Sequence, residues 1–391
     1  MHTFKKIMLV LLSLLLIGEL GFVGLMMLRE GESPVLPGPA PTDAPTEPAI
    51  PETTVPVTEA PTEAPTQEPT EPPTEPPAVH YTFSFGGDCT LGSNRDKWYA
   101  GYSFIQTIGE DYDYPFANVR EYFENDDFTM LNLEVVLADD GNSTGKLFTF
   151  RGPTAYSNIL TGSSVEAVTI ANNHARDYGT AGYESTKSVL DEAGVAYVEV
   201  YSSTLITLED GLVVGLYAID GSVSAIDKDK AVAGVQKLKE DGAELIIVAA
   251  HWGNEGKYRP NKNQQEIGKA LIDAGANIIY GHHPHVLQKI EEYNGGIIYY
   301  SLGNFSFGGN RNPRDKDSVI IQQEIIREHD GSVSLGELTL IPCSISSVAD
   351  YNNYQPTPCE EGTEMYNRIM AKLDGTYEGA DLVVDYSNLK T

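Results

Sequence analysis

Three histidines follow a short apolar run in the stretch Ile278-Ile279-Tyr280-Gly281-His282-His283-Pro284-His285. The β-branched and aromatic residues before the glycine predict a buried strand that ends at residue 280. His283 and His285 are two residues apart, so both side chains can point to the same side of an extended segment. Because three closely spaced histidines have little structural use, the stretch predicts a metal site at the end of a strand.

Similar apolar runs occur on both sides of this stretch and alternate with helix-like segments. The predicted strands are 81–85, 129–134, 167–171, 212–219, 245–251, 278–280, 297–302 and 319–326. The predicted helices are 116–124, 180–193, 228–240 and 262–274. This alternation predicts a protein of the α/β class. With no long break rich in Pro, Gly or Ser, residues 79–391 are expected to form one domain, with a less regular carboxyl segment after about residue 345.

Side chains that can bind a metal end or follow five of the predicted strands. Asp88 follows the first strand, Glu134 ends the second, Asn173 and His174 follow the third, and His251 ends the fifth. Ligands of open α/β sheets bind outside the carboxyl ends of the strands, so these residues are expected to converge on one crevice. Imidazole, carboxylate and amide donors without cysteine suit a divalent ion such as Zn, Mn or Fe.

Each of these residues also has a structural interpretation when taken alone. Asp88 in a Gly-Gly-Asp sequence is compatible with an Asx turn, and His174 is compatible with a structural histidine. Glu134 is compatible with a solvated strand edge. The recurrence of such residues at successive strand ends favours the metal site.

The charge balance restricts the class of partner. The chain has 26 Lys and Arg against 56 Asp and Glu, a formal net charge of −30. A nucleic-acid surface requires clustered positive charge, so no nucleic-acid partner is expected. An anionic partner has to be approached through metal ions or through local basic patches.

The amino end predicts export. Residues 7–28 form a mostly apolar run of 22 residues in which Glu19 is the only charge. A helix of this length spans about 33 Å, enough to cross a bilayer. Lys5 and Lys6 precede the run, which leaves residues 1–6 in the cytoplasm and predicts a single-pass membrane anchor. A cleaved signal peptide is the alternative, and both interpretations place the remainder on the extracytoplasmic side.

A stalk is predicted between the anchor and the domain. Within residues 29–78, the segment 34–77 contains 15 Pro and 9 Thr among 44 residues and has no Lys or Arg. Such a composition cannot bury a core and favours extended backbone, so it predicts a disordered spacer on the order of 100 Å long. In the exported domain, Cys343 and Cys359 could pair and leave Cys89 free.

Six motifs in this order resemble those of the capsule-synthesis proteins of the CapA type, a family associated with poly-γ-glutamate. They are Gly87-Asp88, Asn132-Leu133-Glu134, Ala171-Asn172-Asn173-His174 with Asp177 and Gly179, His251-Trp252-Gly253 with Glu255, His283-Pro284-His285-Val286, and Ser301-Leu302-Gly303-Asn304-Phe305. They cover residues 82 to 307, most of the predicted domain. The resemblance implies a calcineurin-like metallophosphoesterase fold, in which two packed β-sheets are flanked by helices and carry a metal crevice at their edge.

The resemblance also implies roles for individual residues. The implied ligands of one or two divalent ions are Asp88, Glu134, Asn173, His251, His283 and His285. Glu134 is the implied bridge between two ions. His174, oriented by Asp177, is the implied proton donor to a leaving group. Thr90 departs from the pattern, since catalytic phosphoesterases of this fold have His two residues after the first Asp.

The function implied by the resemblance is that of a membrane-anchored, metal-dependent hydrolase or transferase in poly-γ-glutamate synthesis or anchoring. The implied partners are an anionic polymer such as poly-γ-glutamate and membrane-embedded synthase components. A non-catalytic polymer-binding or export scaffold is one alternative, favoured by Thr90 and the stalk. A serine hydrolase is another, because Gly141-Asn142-Ser143-Thr144-Gly145 matches Gly-x-Ser-x-Gly. That motif requires a strand before it and a helix after it, whereas this copy lies in a polar stretch.

Overall fold

Two β-sheets pack face to face around the main hydrophobic core. The computed structural model describes residues 77–385. Phe85 of one sheet and Tyr280 of the other lie with their ring centroids 5.2 Å apart. The Tyr280 hydroxyl crosses between the sheets and donates a hydrogen bond to the carbonyl of Gly86 at 2.6 Å. Together with the helices described below, these sheets confirm the predicted mixed α/β class.

The strands are short except at the centre and one side of the first sheet. They are β1 (Val79–Thr90), β2 (Ser93–Asn94), β3 (Phe128–Leu133), β4 (Val136–Leu137), β5 (Phe150–Gly152), β6 (Ala167–Thr169), β7 (Ala196–Val198), β8 (Ser203–Thr207), β9 (Val213–Asp220), β10 (Leu245–His251), β11 (Ile278–His282), β12 (Ile290–Tyr293), β13 (Gly296–Tyr299), β14 (Asn304–Phe307), β15 (Asp317–Arg327), β16 (Val333–Ser344) and β17 (Thr357–Pro358). The first sheet has the order β17-β16-β15-β1-β3-β6-β7, with β14 paired to β1, and the second has the order β12-β13-β11-β10-β9-β8. A small third sheet has the order β2-β5-β4.

Parallel strands form the part of each large sheet that matters for the site. Strands β1, β3, β6 and β7 run parallel in the first sheet, and β9, β10, β11 and β13 run parallel in the second. The register sets Asp88 opposite Asn132 and His251 opposite His282. The carboxyl ends of these strands therefore carry the residues that the sequence analysis singled out.

Most helices cover the outer faces of the two sheets, whereas the last one buries Ile369 and Leu373 in the main core. They are α1 (Phe104–Ile108), α2 (Arg120–Glu124), α3 (Ser157–Thr161), α4 (Gly179–Ala193), α5 (Lys228–Glu240), α6 (Lys262–Asp273) and α7 (Glu364–Leu373). Leu190 of α4 is buried in one outer cluster, and Val235 of α5 and Leu271 of α6 are buried in another. Asn261 begins α6 with a capping box, and Gly194 ends α4 with a φ of 69°, a backbone conformation that favours glycine.

Three of the four predicted helices are confirmed to within one residue at each end, as α4, α5 and α6. The helix predicted at 116–124 is wrong, since a 3₁₀ turn (Tyr114–Phe116) and the short α2 replace it. Between them, Val119 takes φ −129° and ψ −5°, outside the helical region. Phe116, Val119 and Phe123 are all buried, so core packing overrides the local helical pattern here.

The first strand is longer than predicted. The prediction ends at residue 85, before two glycines that are typical of a turn, but β1 continues through them to Thr90. A Cβ on Gly87 would lie 2.2 Å from the carbonyl oxygen of Gly303, so glycine is needed because another backbone passes close by. Asp88 is consequently a strand residue and not part of a turn.

The carboxyl segment is more regular than predicted. It contains α7, and the preceding β16 was not among the predicted strands although Leu338 and Leu340 alternate with polar residues. Cys89, Cys343 and Cys359 are all free thiols in the structure, so the pairing left open by the sequence is absent among them.

The predicted anchor 7–28 and stalk residues 29–76 lie outside the described residues. Within residues 77–385, no helix is long and apolar enough to span a bilayer.

Candidate metal centre

Residues from both large sheets meet where their parallel strands end. Asp88 lies near the end of β1, Glu134 directly follows β3, His251 ends β10, and His283 and His285 follow β11. The Glu134 amide donates to the carbonyl of Cys89 at 2.9 Å, which continues the pairing of β1 with β3. The sequence analysis expected these residues to converge, and the structure brings them together.

Asp88, Glu134 and His285 form the innermost group. Each offers a donor atom within 4.8 Å of the others. His285 Nδ1 lies 3.1 Å from Asp88 Oδ2, and His285 Nε2 lies 4.0 Å from Glu134 Oε1. Both carboxylates are fully buried. We call these three residues, together with Asn173, His251 and His283, the carboxylate–imidazole cluster.

A second group shares His285 with the first. Glu255, His283 and His285 also bring one donor atom each to within 4.8 Å of one another. The rings of His251 and His283 are 4.8 Å apart, and His251 Nε2 lies 2.7 Å from Asn173 Oδ1. Two overlapping sets of donors are consistent with one or two ions.

The backbone of the histidine pair is held in an uncommon conformation. His283 has a φ of 92° and His285 a φ of 55°, in the region that favours glycine. Such strain persists where the surrounding structure determines it, and it concentrates at functional sites. The predicted extended segment is thus wrong in detail, because β11 ends at His282 and the pair lies in a turn.

Burial and neighbouring charges shift the pKa values of Asp88 and Glu134 in opposite directions. Burial opposes ionisation of Asp88, but the contacts of its oxygens with His282 and His285, each at 3.1 Å, outweigh it and hold the Asp88 pKa well below its usual range. Burial, followed by the charge of Asp88, raises the pKa of Glu134 well above its usual range. These opposite shifts are typical of two carboxyl groups that share one site.

Burial and neighbouring charges also shift the pKa values of the histidines. Burial and the neighbouring His283 lower the pKa of His251, and burial and His285 lower the pKa of His283 to about 4. Burial also lowers the pKa of His285, but the charges of Glu134 and Asp88 outweigh it and raise this pKa to about 10. The cluster therefore holds two neutral imidazoles, those of His251 and His283, which can bind a metal, beside the ionised carboxylate of Asp88.

Several buried polar atoms of the cluster have no hydrogen-bond partner within residues 77–385. They are Asp88 Oδ2, both carboxylate oxygens of Glu134, His251 Nδ1 and His283 Nδ1. A buried polar atom without a partner costs on the order of 1–3 kcal/mol, so such a concentration calls for a ligand. Nitrogen and carboxylate oxygen donors fit a borderline divalent cation, and the residues present therefore fit the implied metal.

His174 and Asp177 lie beside this cluster as a hydrogen-bonded pair. His174 Nδ1 is 2.6 Å from Asp177 Oδ2, and the Phe150 amide donates to the same oxygen at 2.8 Å. The rings of Phe150 and His174 are 4.4 Å apart. Lys146 Nζ lies 3.1 Å from Asp177 Oδ1. Asp177 is fully buried, so the orientation of the imidazole is fixed from several sides.

Two asparagines position Asp88 through a chain of amide hydrogen bonds. Asn132 Nδ2 donates to Asp88 Oδ1 at 2.7 Å, and Asn172 Nδ2 donates to Asn132 Oδ1 at 3.1 Å. Asn172 Oδ1 accepts the amide of His174 at 3.1 Å, which connects the chain to the second pair. The sequence analysis included both asparagines in motifs but gave them no role, because only the strand register shows what they contact.

His282 and Asn304 are further residues whose roles the sequence did not assign. His282 is fully buried, and its Nδ1 lies 3.1 Å from Asp88 Oδ1. Asn304 Oδ1 lies 3.0 Å from His285 Nδ1, and Asn304 Nδ2 donates to the His285 carbonyl at 3.2 Å. His282 thus contacts Asp88, and Asn304 contacts His285, so both residues help to hold ligands of the cluster in place.

Thr90 stands at the position where catalytic phosphoesterases of the implied fold have His. Its hydroxyl is buried and has no hydrogen-bond partner within the described part of the chain. Its carbonyl accepts the amides of Gly92 and Gly308 at 2.8 and 2.9 Å. The position that holds His in the catalytic phosphoesterase pattern therefore offers a hydroxyl instead.

The serine hydrolase alternative is wrong. Ser143 lies in an irregular segment between β4 and β5, not at a turn from a strand into a helix. Its Oγ accepts a hydrogen bond from Arg95 Nη1 at 2.9 Å. Arg95 is a cation and cannot act as a base, whereas a nucleophile elbow needs a base as well as a turn from a strand into a helix.

The carboxyl segment supports the loop that carries Glu255. The Gly256 amide donates to the Pro284 carbonyl at 2.8 Å, and the Leu382 amide donates to the Gly256 carbonyl at 2.9 Å. Asp381 Oδ1 accepts the amide of Tyr258 at 3.1 Å. The last described residues thus hold the Glu255 loop against the turn that bears the histidine pair.

The fold and the site define an α/β protein with a buried set of donors suited to a divalent metal. A model of the bacterial capsule synthesis protein family PGA_cap matches residues 82–205 and 207–309, and the chain belongs to this family. The predicted resemblance to the CapA type is confirmed.

Similar proteins are known from several bacteria. The capsule biosynthesis protein CapA of Bacillus anthracis is 32% identical over 270 residues, which cover 62% of this chain and 64% of that protein. The PGA biosynthesis protein CapA of Bacillus subtilis is 29% identical over 314 residues, which cover 75% of this chain and 80% of that protein. A probable polyglutamine synthesis accessory protein of Mycobacterium tuberculosis is 28% identical over 232 residues, covering 50% and 60%. The chain thus spans less than two thirds of the B. anthracis relative.

Solved structures give weaker matches. The Haemophilus influenzae NAD nucleotidase (NadN) has a TM-score of 0.40 at 12% identity, with 76% of this chain and 56% of that chain covered. Purple acid phosphatase PPD1 from yellow lupin seeds has a TM-score of 0.34 at 10% identity, with 78% and 58% covered. The description of the fold therefore rests on the sheets and helices given above.

Proposed function

We propose that this chain is a membrane-anchored, extracytoplasmic, metal-dependent protein that acts as a hydrolase or transferase in the synthesis or anchoring of poly-γ-glutamate. One observation carries the proposal. Asp88 Oδ2, both carboxylate oxygens of Glu134, His251 Nδ1 and His283 Nδ1 are buried without a hydrogen-bond partner within residues 77–385, and these residues lie beside an oriented histidine. The names of the Bacillus relatives support poly-γ-glutamate as the polymer. Membership of the capsule synthesis family supports its synthesis or anchoring as the process.

The carboxylate–imidazole cluster is the proposed metal site in a metallophosphoesterase-like fold. Its proposed ligands are Asp88, Glu134, Asn173, His251, His283 and His285. His285 belongs to both sets of donors, and Glu134, proposed as the bridging ligand if two ions were bound, belongs to the set with Asp88. When bound there, Zn, Mn or Fe supplies Lewis acidity and positive charge for an anionic substrate. The protein contributes a buried, preorganised site. Contacts with Asn132 and His282 hold Asp88 in place, and a contact with Asn304 holds His285 in place.

His174 is the proposed proton donor. Its Nδ1 is engaged by Asp177, which leaves Nε2 as the ring nitrogen for proton transfer to a leaving group. Asp177 is itself fixed by the Phe150 amide, so the ring does not have to reorganise during the reaction. This arrangement suits cleavage or transfer of a bond whose leaving group needs a proton.

The proposed setting is the outer face of the cell membrane. Residues 7–28 have the length and the flanking lysines of a single-pass anchor, and residues 29–78 have the composition of a stalk. Membrane-embedded synthase components are the proposed protein partners, and no nucleic-acid partner is proposed. The strongly acidic composition makes direct attraction of a polyanion unfavourable, so ions or a local basic patch have to mediate contact.

A non-catalytic polymer-binding or export scaffold is the second candidate. It is favoured by Thr90, whose buried hydroxyl stands where the phosphoesterase pattern has an imidazole. With one ligand fewer, a metal site can bind carboxylates without activating a nucleophile. This candidate shares the metal site but not the role of His174.

The two candidates are separated by metal content and turnover measured on the same samples. The full-length protein and a His283→Ala/His285→Ala variant are purified in detergent, analysed for metal by mass spectrometry, and assayed with poly-γ-glutamate and a phosphodiester under Mn and Zn. Bound metal with turnover, both lost in the variant, is the expected result. Metal without turnover supports the scaffold, and wild-type protein that takes up no metal contradicts the site.

A further inference from the structure

A pocket lined by two arginines and aromatic rings lies among the segments around residues 95–99, 141–143, 151 and 178. Its volume is about 240 Å³, and its lining includes Arg95, Trp98, Ser143, Arg151 and Tyr178. Pockets for drug-sized ligands measure roughly 300–1,000 Å³, so this one suits a single small unit or one repeat of a polymer. We call it the arginine pocket.

The arginine pocket and the pair His174–Asp177 belong to one hydrogen-bonded unit. Arg151 directly follows Phe150, whose amide donates to Asp177 Oδ2 and whose ring lies 4.4 Å from His174. Tyr178 directly follows Asp177. On the other side of the pocket, Thr144 next to Ser143 donates its amide to the Asp177 carbonyl at 2.8 Å. Backbone hydrogen bonds therefore connect the segments that line the pocket to the segments that fix the proposed proton donor.

Arg151 is held between two aromatic rings. Its guanidinium carbon lies 4.6 Å from the ring centre of Trp98 and 5.0 Å from that of Tyr178. Its Nε is buried and has no hydrogen-bond partner within residues 77–385. Stacking fixes the plane of the guanidinium while leaving N–H donors to be satisfied, which is the arrangement that recognises a planar anion.

Arg95 and Lys146 add positive charge to this part of an otherwise acidic chain. Arg95 donates from Nη1 to Ser143 Oγ at 2.9 Å, and its Nε lies 3.2 Å from Asp96 at the exposed rim. Lys146 Nζ bridges the Asn173 carbonyl at 2.6 Å and Asp177 at 3.1 Å. With a net charge of −30, such a grouping beside the site is the local basic patch that an anionic substrate requires.

We propose that the arginine pocket is a subsite that binds one carboxylate of an acidic polymer, with Arg151 as its main contact and Arg95 as its second. Naming γ-linked glutamate as the polymer rests on the proposed function. Each repeat of that polymer carries one carboxylate for the guanidinium fork and a short methylene chain for the faces of Trp98 and Tyr178.

Intrinsic fluorescence can report on this pocket directly. The chain has two tryptophans. Trp252 is buried and donates Nε1–H to the Tyr300 carbonyl at 2.9 Å, whereas Trp98 lines the pocket. A defined γ-linked glutamate oligomer is titrated into the full-length protein, with and without EDTA, and the change is assigned with a Trp98→Phe variant.

Arg151→Gln is expected to weaken oligomer binding roughly tenfold or more, since it removes charge-assisted hydrogen bonds. Arg151→Lys keeps the charge but loses the paired N–H donors of the guanidinium. Its affinity for the oligomer is expected to lie between those of wild type and Arg151→Gln. Arg95 is exposed, so Arg95→Gln keeps the fold and should also weaken binding. Arg311→Gln is the matched control, because Arg311 stacks on Tyr102 and Tyr351 outside the pocket.

The outcomes separate this subsite from the proposed function. Metal-loaded protein whose Trp98 fluorescence does not respond to the oligomer, or variants of Arg151 and Arg95 that bind it as wild type does, overturn the subsite and leave the metal site standing. Binding that depends on Arg151 in protein that takes up no metal supports the subsite and contradicts the proposed function. Inorganic phosphate is titrated alongside. If phosphate binds through Arg151 and the oligomer does not, the assignment to carboxylate is overturned.

Discussion

His285 Nδ1 lies 3.1 Å from Asp88 Oδ2, and this contact joins the two large sheets at the edge where their parallel strands end. Asp88 belongs to β1 of the first sheet, and His285 follows β11 of the second. The buried Glu134 lies beside both residues, with its Oε1 4.0 Å from His285 Nε2. The proposed metal site therefore depends on the packing of one sheet against the other, and binding at the site should stabilise that packing.

Metal should raise the thermal stability of the protein. A ligand that binds only the folded state stabilises it by about 2.7 kcal/mol at one hundred times its Kd. Differential scanning fluorimetry with Mn, Zn and EDTA measures the shift in Tm. The His283→Ala/His285→Ala variant is the control, since it removes donors from both sets of ligands. Equal shifts in wild type and variant would mean that the ions bind elsewhere.

Asn132→Leu should weaken metal binding while leaving all the proposed ligands in place. The substitution removes the amide that donates to Asp88 at 2.7 Å and the oxygen that accepts from Asn172 at 3.1 Å. Residues that orient metal ligands typically contribute about 10–100-fold to affinity. Competition with a chelating dye gives the Kd. Asn118→Leu, at an exposed amide that bonds Thr357, is the matched control. An unchanged Kd would remove Asn132 from the site.

The sequence predicted the members of the cluster because each one stands at the end of a recognisable apolar strand. Strand periodicity alone could place Asp88, Glu134, His251 and the histidine pair at or after the carboxyl ends of strands, where the ligand sites of α/β sheets lie. The chain does not show which strands are neighbours. For that reason Asn132 and His282 were given no role, although register sets both beside Asp88.

The parts that could not be predicted depend on contacts between distant segments. The arginine pocket takes Trp98, Arg151 and Tyr178 from three separate segments, none of which carries a motif for it. Similarly, the glycines at 86 and 87 resemble a turn, and only the approach of the Gly303 backbone explains why β1 continues through them. The helix predicted at 116–124 failed because three buried side chains set the local backbone.

His174→Ala and Asp177→Asn should each lower kcat by about 10²–10⁴-fold if the protein is a hydrolase or transferase. Their 2.6 Å contact makes them one functional unit, so the double variant should be little worse than either single one. Turnover of poly-γ-glutamate and metal content are measured together. Metal content should stay at the wild-type level, because neither residue belongs to the carboxylate–imidazole cluster. Clearly additive losses would indicate independent roles.

Glu166→Gln should stabilise the protein more as the pH rises. Burial raises the pKa of Glu166 to about 8, well above its unfolded value of about 4.3. The folded state therefore holds a proton that the unfolded state loses, and wild-type stability falls as pH rises between these two values. One such proton changes the free energy of unfolding by at most about 1.4 kcal/mol per pH unit. Urea denaturation from pH 5 to 9 measures the difference. Exposed Glu361→Gln is the control, and curves that stay parallel for Glu166→Gln would contradict the expected shift.

Lys372→Met should destabilise the fold strongly, by about 3–5 kcal/mol. Lys372 Nζ lies 2.6 Å from both Asp315 and Asp317, and all three side chains are buried. Removing the cation leaves two buried carboxylates with less compensating charge, because within residues 77–385 Arg368 pairs with Asp317 and Glu364 and not with Asp315. Urea denaturation at neutral pH measures the loss. Lys269→Met is the matched control, since Lys269 pairs with Glu291 at a more exposed position and such pairs contribute roughly 0–1 kcal/mol. If both variants lost the same small amount, α7 would be held by its apolar face and not by this buried ion pair.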